Sequence, residues 1–184
     1  MHVALDFDST LWPILTAMGF RYEQCVTWEH LAVLCGGHRE MEAKFATVMR
    51  YEHMRKFPMF PGAAQHLQRL HRRGVQFDVM TQRPDKFSDD VARMLTDARI
   101  PYRRLDCSMQ IDKVALCLQR GIGVLVDDHP VTMRRAVQAG LLALTLSYPY
   151  NQRVAEQLGV LCAPSWAELG THLDAALDDS LLAA

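Results

Sequence analysis

The chain has 184 residues, 49% of them hydrophobic and 22% charged, which is typical of one globular domain, here with room for an insert. Lys and Arg number 20 against 21 Asp and Glu, so the net charge of −1 excludes a global field that attracts nucleic acid or an anionic membrane. No signal peptide or membrane-spanning stretch is recognisable, and the five dispersed cysteines form no CxxC pair, so we expect a reduced, cytoplasmic protein.

The chain opens with a short strand that ends in two acids. The segment "HVALDFDSTL" at residues 2–11 reads as a buried strand followed by Asp6 and Asp8. Neighbouring carboxylates stay ionised only if a cation, hydrogen-bond donors or water compensates their charge. A solvated strand end, with Ser9 and Thr10 capping a turn, explains the same pattern, so this pair alone does not decide.

A helical insert is predicted next. Apolar residues recur at three- and four-residue spacings, Gly36 and Gly37 interrupt the pattern, and "FPMFPG" at residues 57–62 ends it. We interpret residues 17–57 as a small helical cap over a core domain formed by residues 1–16 and 58–184.

Strands and helices then alternate. Strands are predicted at 75–81, 124–126, 141–146 and near 160–164, whereas the stretch after Pro101 is expected to be a connection. Helices of about ten residues separate them. This alternation predicts an α/β fold, a three-layer α/β/α sandwich with a central parallel sheet. The closing helix is expected from Trp166 to about Leu177, followed by a frayed end.

Three predicted strands end in polar side chains. Thr81 closes "FDVMT", Asp127 and Asp128 close "VLVDD", and Lys113 lies between these two segments. Ligands of open parallel sheets bind at the carboxyl ends of the strands, where these groups meet Asp6 and Asp8. Carboxylates suit Mg²⁺, and a lysine offers a point charge to a phosphoryl group. The pattern therefore predicts a phosphate-handling site.

These motifs resemble those of the haloacid dehalogenase-like (HAD-like) phosphohydrolase superfamily. The likeness covers residues 2–175 and comprises, in order, "DFDST", "VMTQRP", Lys113 and "VLVDD". Lys113 is preferred over Lys86 as the third motif because it precedes "VLVDD". The resemblance implies a Rossmann-like core, and the insert lies where that superfamily carries its helical cap.

The resemblance also implies roles for individual residues. Asp6 becomes the nucleophile that forms an aspartyl-phosphate, and Asp8 the general acid and base. Mg²⁺ is held by Asp6, the backbone carbonyl of Asp8, and at least one of Asp127 and Asp128. The phosphoryl group is bound by Thr81 and Lys113, and the neighbouring Gln82 and Arg83 are expected to join them because they directly follow Thr81. His129 is either a group near the metal or a solvated loop residue.

The implied function is a Mg²⁺-dependent phosphatase acting on a small phosphomonoester. The acid at Asp8 favours this reaction over dehalogenation, because superfamily members that cleave carbon–halogen bonds typically lack it. The segments "VDDHP", "TLSYPYN" and "SWAEL" are similar to the 5'-deoxyribonucleotidase branch, which suggests a nucleoside monophosphate.

Two alternatives remain open. The first is a non-catalytic phosphate-binding or phospho-acceptor module, although in a signalling receiver the acidic pair comes first along the chain, whereas here it comes last. The second is a phosphatase acting on protein or nucleic-acid ends. The neutral charge balance and the capped cleft disfavour a long nucleic acid or a membrane as partner, and no pattern indicates an oligomeric state.

Overall fold

The computed structural model describes residues 1–182, and its centre is one sheet of six parallel strands. The strands lie in the order β3-β2-β1-β4-β5-β6. Their bounds are β1 His2–Leu5, β2 Gln76–Thr81, β3 Arg104–Cys107, β4 Val124–Val126, β5 Leu142–Leu146 and β6 Leu161–Ala163. The predicted α/β fold with a parallel sheet is confirmed.

Helices join the strands and cover the sheet. Four short helices follow β1: α1 Ile14–Ala17, α2 His30–Cys35, α3 His38–Val48 and α4 Tyr51–Met54. The others are α5 Ala63–Arg72, α6 Ser88–Asp97, α7 Lys113–Gln119, α8 Pro130–Gln138, α9 Gln152–Leu158 and α10 Trp166–Leu182.

Two hydrophobic cores, one on each face of the sheet, make the fold three-layered. Successive side chains of a strand point to opposite faces. Val3 and Leu5 accordingly pack into a core that includes α5, α6 and α10. Ala4, between them in sequence, packs into a second core with α7, α8 and α9. The sheet is therefore buried on both sides, as parallel sheets are.

The strand order places one crevice in the middle of the sheet. From β1 the chain runs outward through β2 to β3 and then returns to β4, which pairs with the other side of β1. Such a reversal separates the connections at the carboxyl ends of β1 and β4 and leaves room for a ligand there. Asp6 follows β1 directly, and Asp127 follows β4.

Two sequence expectations require correction. The segment after Pro101 is not only a connection, because Arg104–Cys107 forms the edge strand β3. The closing helix runs past Leu177 to Leu182, so the expected frayed end is helical as far as the structure describes it. Residues 183 and 184, on which part of that expectation falls, lie outside the described residues.

The stretch predicted to be a cap is largely helical. It contains α2, α3 and α4. Helix α2 ends at Gly36, whose backbone adopts the left-handed conformation with φ of 89°. Glycine adopts this conformation without a steric penalty, which explains why the helical pattern stops there. Within residues 1–182, no helix combines the length and the apolar character needed to cross a membrane.

Candidate active site

Backbone hydrogen bonds beyond the strands bring the first and fourth motifs together. The Asp6 amide donates to the Val126 carbonyl at 2.9 Å, and the Asp127 amide donates to the Leu144 carbonyl at 3.1 Å. These bonds continue the pairing of β1, β4 and β5 by one residue each. The acids therefore stand side by side at the carboxyl edge of the sheet.

Three carboxylates form a compact buried cluster. One oxygen from each of Asp6, Asp127 and Asp128 lies within 4.8 Å of the others. The Lys113 ammonium donates to Asp6 Oδ1 at 2.7 Å and to Asp127 Oδ2 at 2.6 Å. Lys113 is the first residue of α7, which is capped by the Asp112 side chain accepting the Ala115 amide at 3.0 Å.

Burial and mutual repulsion dominate the electrostatics of the cluster. Burial raises the pKa of Asp6 to about 7, although the charge of Lys113 opposes the shift. Burial, together with the charges of Asp6 and Asp127, also raises the pKa of Asp128. Burial disfavours the charged lysine, yet Asp127 and Asp6 hold the pKa of Lys113 above its usual range. Fully ionised, the four groups carry two excess negative charges, which suits a divalent cation.

Thr81 carries an unpartnered hydroxyl at the end of β2. Its side chain is 1% exposed, and Oγ1 has no hydrogen-bond partner among the residues that the structure describes. An unpaired buried hydroxyl costs about 1–3 kcal/mol, so such groups are normally satisfied. Because Thr81 lines the same cavity as Asp6 and Lys113, its hydroxyl is available to a ligand.

Asp8 is held by a buried arginine. Arg83 Nε donates to Asp8 Oδ2 at 2.7 Å, and Nη2 donates to Oδ1 at 2.5 Å. The guanidinium also lies over the rings of Phe7 and Trp12, with its carbon 4.8 Å and 5.2 Å from their centroids. Arg83 is 0% exposed and lies behind Asp8 rather than in the cavity wall, whereas its sequence neighbour Gln82 lines the cavity.

A cavity of about 400 Å³ lies above these groups. Its polar lining includes Asp6, Asp8, Thr81, Gln82, Lys113, Asp128 and His129, with Glu42 and Lys86. Its apolar lining includes Ile14, Trp28, Phe45, Met49, Phe87 and Met109. Most of the charged groups thus come from the segments that follow the strands, whereas residues between β1 and α5 contribute Glu42 and much of the apolar wall.

His129 is half-buried at the cavity. Its backbone amide donates to Asp127 Oδ1 at 2.8 Å, and its ring meets Trp28 edge to face at 5.9 Å. Burial lowers the pKa of His129. It is therefore a packed residue beside the carboxylates rather than a solvated loop residue.

The loop after β5 supplies contacts that the sequence did not reveal. Tyr150 Oη donates to Asp128 Oδ2 at 2.6 Å, and Asn151 Nδ2 donates to the Asp128 carbonyl at 3.0 Å. The sequence marked the segment "SYPYN" only through its likeness to the 5'-deoxyribonucleotidase branch, and no motif spacing indicated a contact with Asp128. Its tyrosine and asparagine side chains, placed just after a strand at the same sheet edge, were the available signal.

The sheet order, the acidic strand ends and the lysine at the start of α7 define a Rossmann-like α/β protein of the HAD-like fold. No family model matches the sequence, and no curated protein matches it. Solved structures do match, over nearly the whole chain.

One similar structure is a HAD family hydrolase from Deinococcus radiodurans with bound phosphate and sodium: TM-score 0.67, 17% identity, 95% of each chain covered. Another is CbbY from Rhodobacter sphaeroides in complex with phosphate: TM-score 0.62, 16% identity, 92% of this chain and 96% of that one covered. A HAD-superfamily hydrolase from Ehrlichia chaffeensis has a TM-score of 0.59 at 12% identity, covering 96% and 97%. At these identities the likeness establishes the fold.

Proposed function

We propose that the protein is a Mg²⁺-dependent phosphatase that hydrolyses a small phosphomonoester through an aspartyl-phosphate on Asp6. One observation carries the proposal: the carboxylate cluster, the Lys113 ammonium and the unpartnered Thr81 hydroxyl all lie at one cavity. A phosphoryl group and a divalent cation together complement every one of these groups. Two of the similar structures contain phosphate, which agrees with this ligand.

The donor set fits Mg²⁺. Asp6, Asp127 and Asp128 offer carboxylate oxygens, and the backbone carbonyl of Asp8 is the fourth protein ligand that we propose. Hard oxygen ligands and an excess of negative charge are what Mg²⁺ prefers. When bound, the ion would neutralise charge on the carboxylates and on the phosphoryl oxygens.

The chemistry divides into two balanced steps. In the first, Asp6 attacks phosphorus, the ester P–O bond breaks, and Asp8, which must carry a proton in the substrate complex, gives that proton to the leaving oxygen. In the second, Asp8 takes a proton from water while the water oxygen attacks phosphorus. The bond between phosphorus and Asp6 then breaks, and the products are inorganic phosphate and the free Asp6 carboxylate.

Phosphoryl binding is assigned to three groups on the cavity wall. Thr81 donates from Oγ1, Lys113 contributes its ammonium, and Gln82 contributes its side-chain amide. Arg83 acts differently: because its guanidinium is bonded to Asp8, we propose that it orients the acid and base and does not itself bind phosphate.

The substrate that the cavity fits best carries a flat, apolar leaving group. The volume of about 400 Å³ suits a small molecule, and the apolar part of its wall, with Trp28 and Phe45, suits a ring. A nucleoside monophosphate has this combination of ring and phosphate. In this proposal residues 17–57 form the cap that selects the leaving group, and residues 1–16 and 58–184 form the catalytic core.

The decisive experiment measures hydrolysis of p-nitrophenyl phosphate and of a panel of nucleoside monophosphates, with Mg²⁺ and with EDTA. We expect turnover with Mg²⁺, loss in EDTA, and loss in Asp6→Asn, because an amide is a poor nucleophile. Asp89→Asn makes the same chemical change at an exposed position and keeps full activity. Turnover retained in Asp6→Asn refutes the nucleophile. Phosphate binding without any turnover favours the non-catalytic module.

A further inference from the structure

The loop between β5 and α9 holds Asp128 through two hydrogen bonds. The Tyr150 hydroxyl donates to Asp128 Oδ2, and the Asn151 amide donates to the Asp128 carbonyl. Tyr150 is 7% exposed and Asn151 is fully buried. Both the side chain and the backbone of Asp128 are therefore fixed by one neighbouring segment, residues 147–151.

Asn151 anchors this loop to the end of β5. Its side-chain amide lies 3.1 Å from Thr145 Oγ1 and 2.9 Å from the Leu146 carbonyl, and its Oδ1 accepts the Tyr148 amide at 2.9 Å. Fully paired buried networks are rigid because any rearrangement leaves a polar group unsatisfied. The loop backbone that carries Tyr150 is therefore held in a fixed position.

The Tyr150 ring is also held by aromatic neighbours. It stacks on Tyr148 with centroids 5.2 Å apart and packs against Trp28 at 5.4 Å. Tyr148 stacks in turn on Tyr22 at 4.3 Å and donates its hydroxyl to the Ser9 carbonyl at 2.6 Å. The stacked rings prevent the Tyr150 ring from turning away, so its hydroxyl remains directed at Asp128.

A fixed hydroxyl matters here because Asp128 is buried beside other carboxylates. Asp6 and Asp127 repel its charge, and free rotation would let the group turn away from them. The hydrogen bond to Oδ2 restrains the carboxylate and leaves Oδ1 available as a ligand. Groups that orient metal ligands in this way commonly change metal affinity 10–100-fold when they are removed.

We propose that Tyr150 is a positioning residue that presents the Asp128 carboxylate to the divalent cation. This inference rests on the proposed function only in assuming that the carboxylate cluster binds a metal. It assigns a role to a hydroxyl that the phosphoryl-transfer steps do not use.

The test measures metal affinity without substrate. Mn²⁺, which prefers the same oxygen ligands as Mg²⁺, is titrated into the protein, and free Mn²⁺ is followed by electron paramagnetic resonance. We expect Tyr150→Phe to weaken Mn²⁺ binding about 10–100-fold. The melting temperature of the metal-free variant should stay near that of the wild type, because its aromatic packing is intact.

Two control variants remove a hydroxyl elsewhere. Tyr51→Phe breaks a tyrosine–carboxylate hydrogen bond, to Asp97, that lies outside the cavity. Tyr148→Phe removes the hydroxyl that is bonded to the Ser9 carbonyl and keeps the stacked ring. Both should bind Mn²⁺ within about twofold of the wild type, whereas Asp128→Asn, which loses the ligand itself, should bind much more weakly.

The outcomes separate this inference from the proposed function. Wild-type affinity in Tyr150→Phe overturns the positioning role and leaves the metal site standing. Equal weakening in Tyr148→Phe also overturns it, because the loop as a whole would then be responsible. A wild-type protein that binds no Mn²⁺ or Mg²⁺ removes the metal dependence of the proposed function and this inference with it.

Discussion

Arg83 and Asp8 form a bidentate ion pair, in which the guanidinium lies inside the protein and the carboxylate lies at the cavity wall. The arginine side chain is 0% exposed and the aspartate side chain 18% exposed. Arg83 also lies near the Met49 carbonyl, 3.4 Å from Nη1, at the end of α3. The buried Arg83 side chain thus connects Asp8, the proposed general acid and base, with the helical segment that covers the cavity.

Removing this arginine should cost both stability and activity. Arg83→Met keeps the side-chain bulk but leaves the Asp8 carboxylate without its partner, and breaking such a buried pair costs about 3 kcal/mol. Urea unfolding measures the loss. Arg135→Met, which breaks the exposed ion pair with Asp112, should lower the free energy of unfolding by less than about 1 kcal/mol. Equal costs at the two sites contradict the importance of the buried pair.

Activity distinguishes the geometry of Arg83 from its charge. Arg83→Lys preserves the positive charge but not the two parallel hydrogen bonds, so we expect Asp8 to be poorly oriented and kcat to fall more than KM rises. Kinetics with p-nitrophenyl phosphate measure both constants. Full activity in Arg83→Lys contradicts an orienting role.

Thr81 should matter for ligand binding and not for folding. Because its Oγ1 has no partner in the described part of the chain, Thr81→Val removes an unsatisfied hydroxyl and should leave the free energy of unfolding unchanged or slightly higher. Inhibition by inorganic phosphate should weaken about tenfold or more, since a hydrogen bond to a charged group is lost. Inhibition constants and urea unfolding measure the two effects.

A second threonine provides the matched comparison. Thr145 is equally buried, but its hydroxyl contacts Asn151 and the Leu146 carbonyl. Thr145→Val should therefore lose about 1 kcal/mol of stability. Phosphate inhibition that is unchanged in Thr81→Val rules out the proposed contact.

Lys113 should stabilise the metal-free protein. Lys113→Met removes the ammonium that bonds to Asp6 and Asp127. Because the carboxylates then repel one another without compensation, the free energy of unfolding should fall by about 3–5 kcal/mol. Mg²⁺ should raise the melting temperature of this variant more than that of the wild type, because the cluster is more negative. Lys56→Met, at an exposed site, should change neither value. An equal Mg²⁺ effect in variant and wild type contradicts the electrostatic account.

The sequence predicted the parts of the site that follow strands. Asp6, Thr81 and Asp127 lie at strand ends, and parallel strands bring their carboxyl ends to one edge whatever the details of packing. The partners of these groups depend on tertiary contacts between distant segments. Arg83 was expected at the phosphate because it follows Thr81 by two residues, but its side chain turns inward to Asp8.

The edge strand β3 was missed for a related reason. Arg104–Cys107 has the sequence "RLDC", whose charges are unusual in a strand of a parallel sheet. The charges are tolerated because partners exist: Asp106 is bonded to Arg120, and the preceding Arg103 is bonded to Asp78. Hydrophobic periodicity cannot predict such ion pairs between distant segments of the chain.

Asp78 leads to a prediction about acid stability. This aspartate of β2 is fully buried and is bonded to Arg103, Arg120 and His2 at 3.1 Å, 3.0 Å and 2.9 Å. Burial disfavours its charge, but the hydrogen bonds from Arg103 and His2 prevail and hold the pKa of Asp78 below its usual value. A carboxyl whose pKa is lower in the folded state stabilises the fold above the unfolded pKa.

Asp78→Asn should therefore be less stable than the wild type by about 3 kcal/mol at pH 7. The difference should begin to narrow as the pH falls below about 4, because the unfolded wild-type chain then binds a proton at Asp78 that the folded protein, with its lower pKa, binds only at more acidic pH. Urea unfolding of both proteins between pH 7 and pH 3 measures it. Asp112→Asn, which changes an exposed ion pair and keeps a good helix cap, should show a small difference at every pH. A constant difference for Asp78→Asn across this range would mean that its charge does not stabilise the fold.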